Sequence, residues 1–343
     1  AAPEKPESFD QVFKDFNEIV MPGMTHWQHP RFFAYFPTGA SAPSVLAEML
    51  SATLGAQCMI WLTSPAAEEV EERMMEWLRD LLGLPKEFVG VIQDSSSSAT
   101  LVALLTAREK HANYEINQRG FTNQRFRVYT STHAHSSVDK DVRIAGIGVD
   151  NLVKVDVDAD FAMKPDALRA AIEKDVALGY HPLCVVSTIG STSSTAIDPV
   201  HAIDAICKQF GCWHHVDASY AGTALLLPEM RWMSKGVEGV DSFVLNPHKW
   251  MFTNFDCSAY YVRDKRALTN TFSILPEYLK TPEDHLVNNY RDWGVPLGRR
   301  FRALKLWFVM RSFGAEGLRE KIREHIRFGQ WLKDKVDSLP DFE

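Results

Sequence analysis

The sequence predicts an α/β fold with a mainly parallel sheet covered on both faces by helices. Three observations lead there. Short apolar runs alternate with amphipathic stretches along most of the 343 residues. Proline stands near the start of some amphipathic stretches, and glycine follows their ends. The length and a hydrophobic fraction of 45% supply a sizeable core. Taken in order, Ala66–Leu82 reads as a helix with Val70, Met74, Leu78 and Leu81 on one face. Glu68, Glu72, Glu76 and Arg79 fill the other, and Gly83 and Pro85 close it. Phe88–Ile92 is strand-like, and a serine loop then leads into a helix over Thr100–Lys110. Phe126–Thr130 and Leu152–Val157 are strand-like, and Pro165–Leu178 is helical with Gly179 behind it. Leu183–Thr188 is a strand, Pro199–Phe210 a helix ended by Gly211, and Cys212–Asp217 another strand. Such alternation implies right-handed crossovers and a ligand site beyond the carboxyl ends of the strands.

Composition narrows the function. A net charge of -7 gives no footprint for nucleic acid or an anionic membrane. The longest uncharged apolar run, Ala218–Pro228, is too short to cross a bilayer. Ala1–Asp10 is polar and lacks the apolar stretch of a leader. The five cysteines are odd in number and form no CxxC pair, so they read as core thiols of a reducing compartment. A cytoplasmic enzyme is the expectation. No G-x-G-x-x-G follows the first strand, which disfavours a dinucleotide-binding oxidoreductase.

Four strand ends carry polar groups suited to one site. Asp94-Ser95-Ser96-Ser97-Ser98 precedes a helix, where unpaired amides and hydroxyls suit a phosphate. A serine cap and turn is the plainer reading. His133-Ala134-His135-Ser136-Ser137 follows the next strand, and a lone histidine there is more often a surface or capping residue. Asp217 ends an apolar strand and needs a cation or a capping role to be buried. A zinc site from His214, His215 and Asp217 is disfavoured, because neighbouring strand residues point to opposite faces. Lys249, in Asn246-Pro247-His248-Lys249-Trp250, suits a lysine whose pKa is depressed by desolvation, against the alternative of a lysine snorkelling to solvent. Pyridoxal 5'-phosphate uses all four features: a lysine for the Schiff base, an acid for the pyridine nitrogen, a phosphate cup and a flat partner for the ring.

Those residues resemble a known family. Asn246–Trp250, His215-Val216-Asp217-Ala218-Ser219-Tyr220-Ala221-Gly222 and Ala134-His135-Ser136-Ser137-Val138 are similar to motifs of the group II pyridoxal-phosphate decarboxylases, and within them to the aromatic-L-amino-acid decarboxylases. Phe32–Gly39 and Pro296–Arg302 match that subfamily, as does the separation 249 − 217 = 32. The resemblance implies the aspartate-aminotransferase-like type I fold of pyridoxal-phosphate enzymes. It assigns Lys249 to the cofactor bond, Asp217 to the pyridine nitrogen and His135 to stacking on the ring. Thr192 would bond near the ring hydroxyl, and Ser219 would lie under the ring. Ser96, Ser97, Asn246 and His248 would hold the phosphate. Trp27, Tyr35, Phe36, Pro37 and Thr38 would line the substrate side, and Tyr278 would protonate the α-carbon from a closing loop. The expected organisation is an N-terminal arm over 1–45, a large cofactor domain over 46–315 and the start of a small domain over 316–343. Relatives begin earlier and run on past Glu343, so the chain is expected to lack most of that small domain. A homodimer with the site at its interface is implied. Asp94 stands where many relatives have glycine, and Gln57 and Met59 replace larger or more apolar pocket residues.

The substrate side points to an aromatic amino acid. The segment 27–37 offers Trp27, Phe32, Phe33, Tyr35 and Phe36, with Arg31 its only fixed charge. Phe32 and Phe33 are expected in the core. Gly298 stands where relatives preferring histidine or tyrosine tend to carry serine. Tryptophan, DOPA, 5-hydroxytryptophan and phenylalanine are the expected substrates. The rivals are an aromatic aldehyde synthase, whose loop tyrosine is usually phenylalanine, a glutamate-type decarboxylase and a non-catalytic paralogue.

Overall fold

The computed structural model describes residues 2–274 and 286–342. Two compact units divide at Pro37 and Thr38. The first, Ala1–Pro37, carries helix α1 (Phe9–Asp15), capped by Ser8, and no residue of that helix is buried. Its rings contact one another: Phe13 stacks on Phe9 and Phe16, and Trp27 lies 5.0 Å from Phe32 and 5.6 Å from Tyr35. Phe33, expected in the core, is 89% exposed.

The second unit, Thr38–Glu343, holds a seven-stranded sheet. Its strands are β1 (Val89–Gln93), β2 (Phe126–Ser131), β3 (Leu152–Val155), β4 (His181–Thr188), β5 (Trp213–Asp217), β6 (Ser242–Leu245) and β7 (Ser258–Val262), in the order β1-β7-β6-β5-β4-β2-β3. Among the described strands only β7 runs antiparallel to its neighbours, so the six others end at one edge. The predicted mainly parallel sheet is what forms. Most strand and helix ends fall within two residues of the sequence reading, the ordinary fraying of such boundaries, and α4 starts four residues earlier.

Helices α2 (Ala42–Leu54), α3 (Pro65–Leu82), α4 (Ser96–His111), α5 (Ile116–Arg119), α6 (Ser137–Ile144), α7 (Pro165–Ala177), α8 (Val200–Phe210), α9 (Pro247–Trp250), α10 (Lys265–Phe272) and α11 (Arg302–Asp337, broken at Gly314) complete the unit. Two face pairs of core residues show the double covering. Ala99 and Ala103 of α4 pack with Val138 of α6 and Val244 of β6, whereas Leu168 of α7 and Ile203 of α8 pack with Val185 of β4. The serine run is not a loop. Ser95 caps α4, its hydroxyl accepting from the Ser98 amide at 3.2 Å, and Ser96 already lies in the helix. All five cysteines are buried and unpaired in disulfides. Among the described residues no helix is long and apolar enough to cross a membrane.

Helix α3 departs from its predicted polar face. Glu68 is only 2% exposed, as is Glu71, because α3 is covered by both β1 and α11 and its buried stripe is wider than one seam. Glu71 is compensated: its Oε1 accepts from Arg299 Nη2 at 2.6 Å and from the Ile92 amide at 2.8 Å. Among the described residues neither oxygen of Glu68 has a hydrogen-bond partner. Burial, reinforced by the charge of Glu71, pushes its pKa up to about 8, with Arg299 opposing. A carboxyl group with a raised folded pKa stabilises while it keeps its proton. That contribution is fully present below the ordinary value of 4.5 and is lost as pH rises through about 8. Glu68→Gln should therefore leave stability near the parent's at low pH and gain on the order of 2 kcal/mol at alkaline pH. Thermal melts at pH about 5 and about 8.5 check this, and an equal offset at both would contradict it.

Candidate active site

The six parallel ends bring the polar segments of the sequence to one edge of the sheet. The first turn of α4 follows β1, the segment with His135 follows β2, Thr192 follows β4, Asp217 ends β5, and Asn246 and Lys249 follow β6. Their centre is a hydrogen-bonded cluster. Ser96 donates to Asn246 Oδ1 at 2.6 Å, and Ser258 donates to the same oxygen at 2.7 Å. Ser219 Oγ lies 2.6 Å from Ser96 Oγ and also contacts Asp217 Oδ1. The Ser219 amide donates to that carboxylate oxygen at 3.0 Å. Ser96, Asn246 and Asp217 are all buried.

Lys249 sits in α9, a single turn opened by Pro247, and its amide donates to Asn246 O at 2.9 Å. It is half-buried, and burial lowers its pKa; the negative charge of Asp217 pulls the other way. Gly39 donates its amide to Lys249 O at 3.3 Å, and a Cβ there would come within 3.1 Å of that oxygen. The neighbouring rings are pinned. Trp250 stacks on Tyr220 at 5.0 Å and donates its indole N–H to His325 Nδ1 at 3.0 Å. His248 Nδ1 accepts from the Cys257 amide at 2.9 Å. Burial, then the charge of Lys249, lowers the His248 pKa to about 4. A neutral ring accepting at Nδ1 carries its proton at Nε2, which leaves one N–H to offer an anion.

Other predicted residues stand outside this cluster. His135 is exposed at the carboxyl edge, its Nδ1 accepting from the Ser137 amide at 3.1 Å, and Thr192 is exposed in a turn. Ser97 is half-buried in the first turn of α4. Thr38 is half-buried, whereas Trp27, Tyr35, Phe36 and Pro37 belong to the N-terminal unit. Gly298 lines a cavity of about 370 Å³ with Gln57, whose Oε1 accepts from the Arg299 amide at 2.6 Å. Tyr278 lies outside the described residues. Ser258 and Gly39 were not picked out as site residues. Ser258 opens the antiparallel strand, which no motif marks, while Gly39 ends the matched Phe32–Gly39 stretch.

The arrangement offers a lysine of lowered basicity, a buried acid within its field, and a helix start lined with hydroxyls and amides. That set suits a cofactor with a carbonyl, a basic ring nitrogen and a phosphate. No group of three or more His, Cys, Asp or Glu that could hold a metal occurs among the described residues.

A family model described as the pyridoxal-dependent decarboxylase conserved domain matches residues 1–343. Aromatic-L-amino-acid decarboxylase of Mus musculus is 44% identical over 358 residues, covering 100% of this chain and 74% of that protein. Phenylacetaldehyde synthase of Arabidopsis thaliana is 43% identical over 353 residues, covering 100% of this chain and 71% of that one. Among solved structures, Catharanthus roseus tryptophan decarboxylase in complex with L-tryptophan superposes with a TM-score of 0.93 at 38% identity, covering 100% of this chain and 73% of that one.

Proposed function

Because this chain belongs to the pyridoxal-dependent decarboxylase family, we propose that it converts an aromatic L-amino acid to its amine and carbon dioxide. Tryptophan, DOPA, 5-hydroxytryptophan and phenylalanine are the candidate substrates. The cofactor, pyridoxal phosphate, supplies an electron sink for the pair left behind when the carboxyl group departs. The observation that carries the reading is that Asp217 ends β5 and Lys249 follows the neighbouring parallel strand β6, at the edge where Ser96 meets Asn246. Burial lowers the lysine's pKa, while the acid lies close enough for its charge to act on that lysine.

The residue roles are those that the family resemblance implies. Lys249 keeps a larger fraction of neutral amine to bind the cofactor's carbonyl carbon. Asp217 holds a proton on the pyridine nitrogen. Ser96, Ser97, Asn246 and the Nε2–H of His248 would hold the phosphate, and Ser219, Thr192 and His135 would contact the ring. Trp27, Tyr35, Phe36, Pro37, Thr38 and Gly298 shape the substrate side. Overall, one C–C bond breaks, carbon dioxide leaves, and one proton is added at the α-carbon.

That proton separates the two chemistries represented among the relatives, since one of them is named an aldehyde synthase. A phenol held over the α-carbon delivers a proton before oxygen reacts there, which is the role assigned to Tyr278. Tyr278→Phe should cut amine formation by about 10²-fold or more and raise aldehyde, ammonia and peroxide. Amine and peroxide are measured after aerobic incubation with tryptophan or DOPA. A parent that already makes mainly aldehyde and peroxide would replace this reading with the aldehyde-synthase one.

We read the working assembly as a cytoplasmic homodimer with the site at its interface. Its support is the uncovered aromatic stripe of α1, where Phe9 is 78% and Phe13 54% exposed. Sedimentation at working concentration should give a dimer, and a fully active monomer would refute it.

A further inference from the structure

One helical turn beneath the cluster lies a second polar rung. Ser96 and Thr100 are four residues apart and share a face of α4. Asp217 and His215 are two apart on β5 and share a face of the sheet. Asn246 follows β6, and Ser242, four residues earlier, stands directly opposite His215 in the β5–β6 register. The outer rung joins Ser96, Ser219, Asp217 and Asn246. The inner one joins Thr100 Oγ1 to His215 Nε2 at 3.3 Å, and His215 Nδ1 to Ser242 Oγ at 2.8 Å. Trp213 Nε1 donates to the same Ser242 oxygen at 2.8 Å.

Thr100, His215 and Ser242 are each 0% exposed and sit among the apolar residues Ala99, Ala103 and Val244. A polar chain costs stability in such a place unless every member is satisfied, and a satisfied chain fixes one register of the elements it joins. Both contacts of the ring can be made by a neutral imidazole in either tautomer. Burial lowers its pKa to about 4, which agrees with a neutral ring.

We propose that His215 is a positioning residue for the cofactor site: by bridging Thr100 on α4 to Ser242 on β6, it sets the height at which Ser96 faces Asp217 and Asn246. An apolar residue at 215 would fill the space but leave α4 without a fixed register along the sheet. Because His215 is neutral, it also adds no cation beneath Asp217, whose charge stays directed at the site. The proposal rests on the cofactor site assigned above.

The test uses Thr100→Val, which keeps the shape of the side chain and removes its hydroxyl, with Thr100→Ser as the conservative rescue. Ser96→Ala, alone and combined with Thr100→Val, completes a double-mutant cycle. Pyridoxal phosphate is titrated by absorbance into the apoprotein of each, and thermal melts are recorded alongside. Thr100→Val should weaken cofactor binding about tenfold, the worth of one buried hydrogen bond, and Thr100→Ser should stay within about twofold of the parent. The penalty of Thr100→Val should shrink in the Ser96→Ala background, because the effect runs through that hydroxyl. Lowered melting with unchanged cofactor affinity, or fully additive penalties, would overturn the positioning role while leaving the cofactor site intact. A parent that binds no pyridoxal phosphate would overturn the cofactor site itself, and this proposal with it.

Discussion

The site depends on keeping a carboxylate at the buried end of a strand. Asp217 is 6% exposed, and an unpaired charge there would cost several kcal/mol. The chain offsets that cost locally and leaves part of the acid's field available. Ser219 supplies an amide and a hydroxyl to one carboxylate oxygen, and Lys249 lies within reach of the charge. Asp141 on α6 is also buried and is pushed up to about 7, by burial first and with the charge of Asp217 adding to the rise. His215, held neutral by burial, adds no positive charge beneath Asp217. Burial also lowers the basicity of Lys249, with the charge of Asp217 opposing.

Parallel topology turns that pair into a site. Each crossover returns the chain to the same edge, so residues as distant in sequence as Ser96 and Asn246 meet at 2.6 Å. The antiparallel strand β7 contributes differently: its first residue, Ser258, starts where the others end and completes the Asn246 contact.

Much of this was legible in the sequence, for physical reasons that differ by element. Strands β2, β4 and β5 show as apolar runs because they are buried, and α7 and α8 are punctuated by a proline near the start and a glycine past the end. β7 escaped because Ser258–Val262 breaks the strand–helix alternation and follows β6 after only a short connection. Glu68 was misread because periodicity reports one buried stripe, and α3 is covered on more than one side. In the serine segment Ser95 acts as a cap, and Ser96 joins the hydrogen-bonded cluster. The chemistry-bearing residues Lys249, Asp217, Asn246 and Ser96 stood out by residue type and position after a strand. His135 and Thr192 are at the predicted edge and exposed.

The central claim is that Lys249 carries the cofactor within the field of Asp217. Its most direct test is borohydride reduction of the purified protein followed by mass mapping of its peptides. An absorbance band above about 400 nm that borohydride abolishes is expected, with the pyridoxyl mass added to the peptide containing Lys249. A pyridoxyl group on any other lysine, or none in a protein saturated with cofactor, would contradict it.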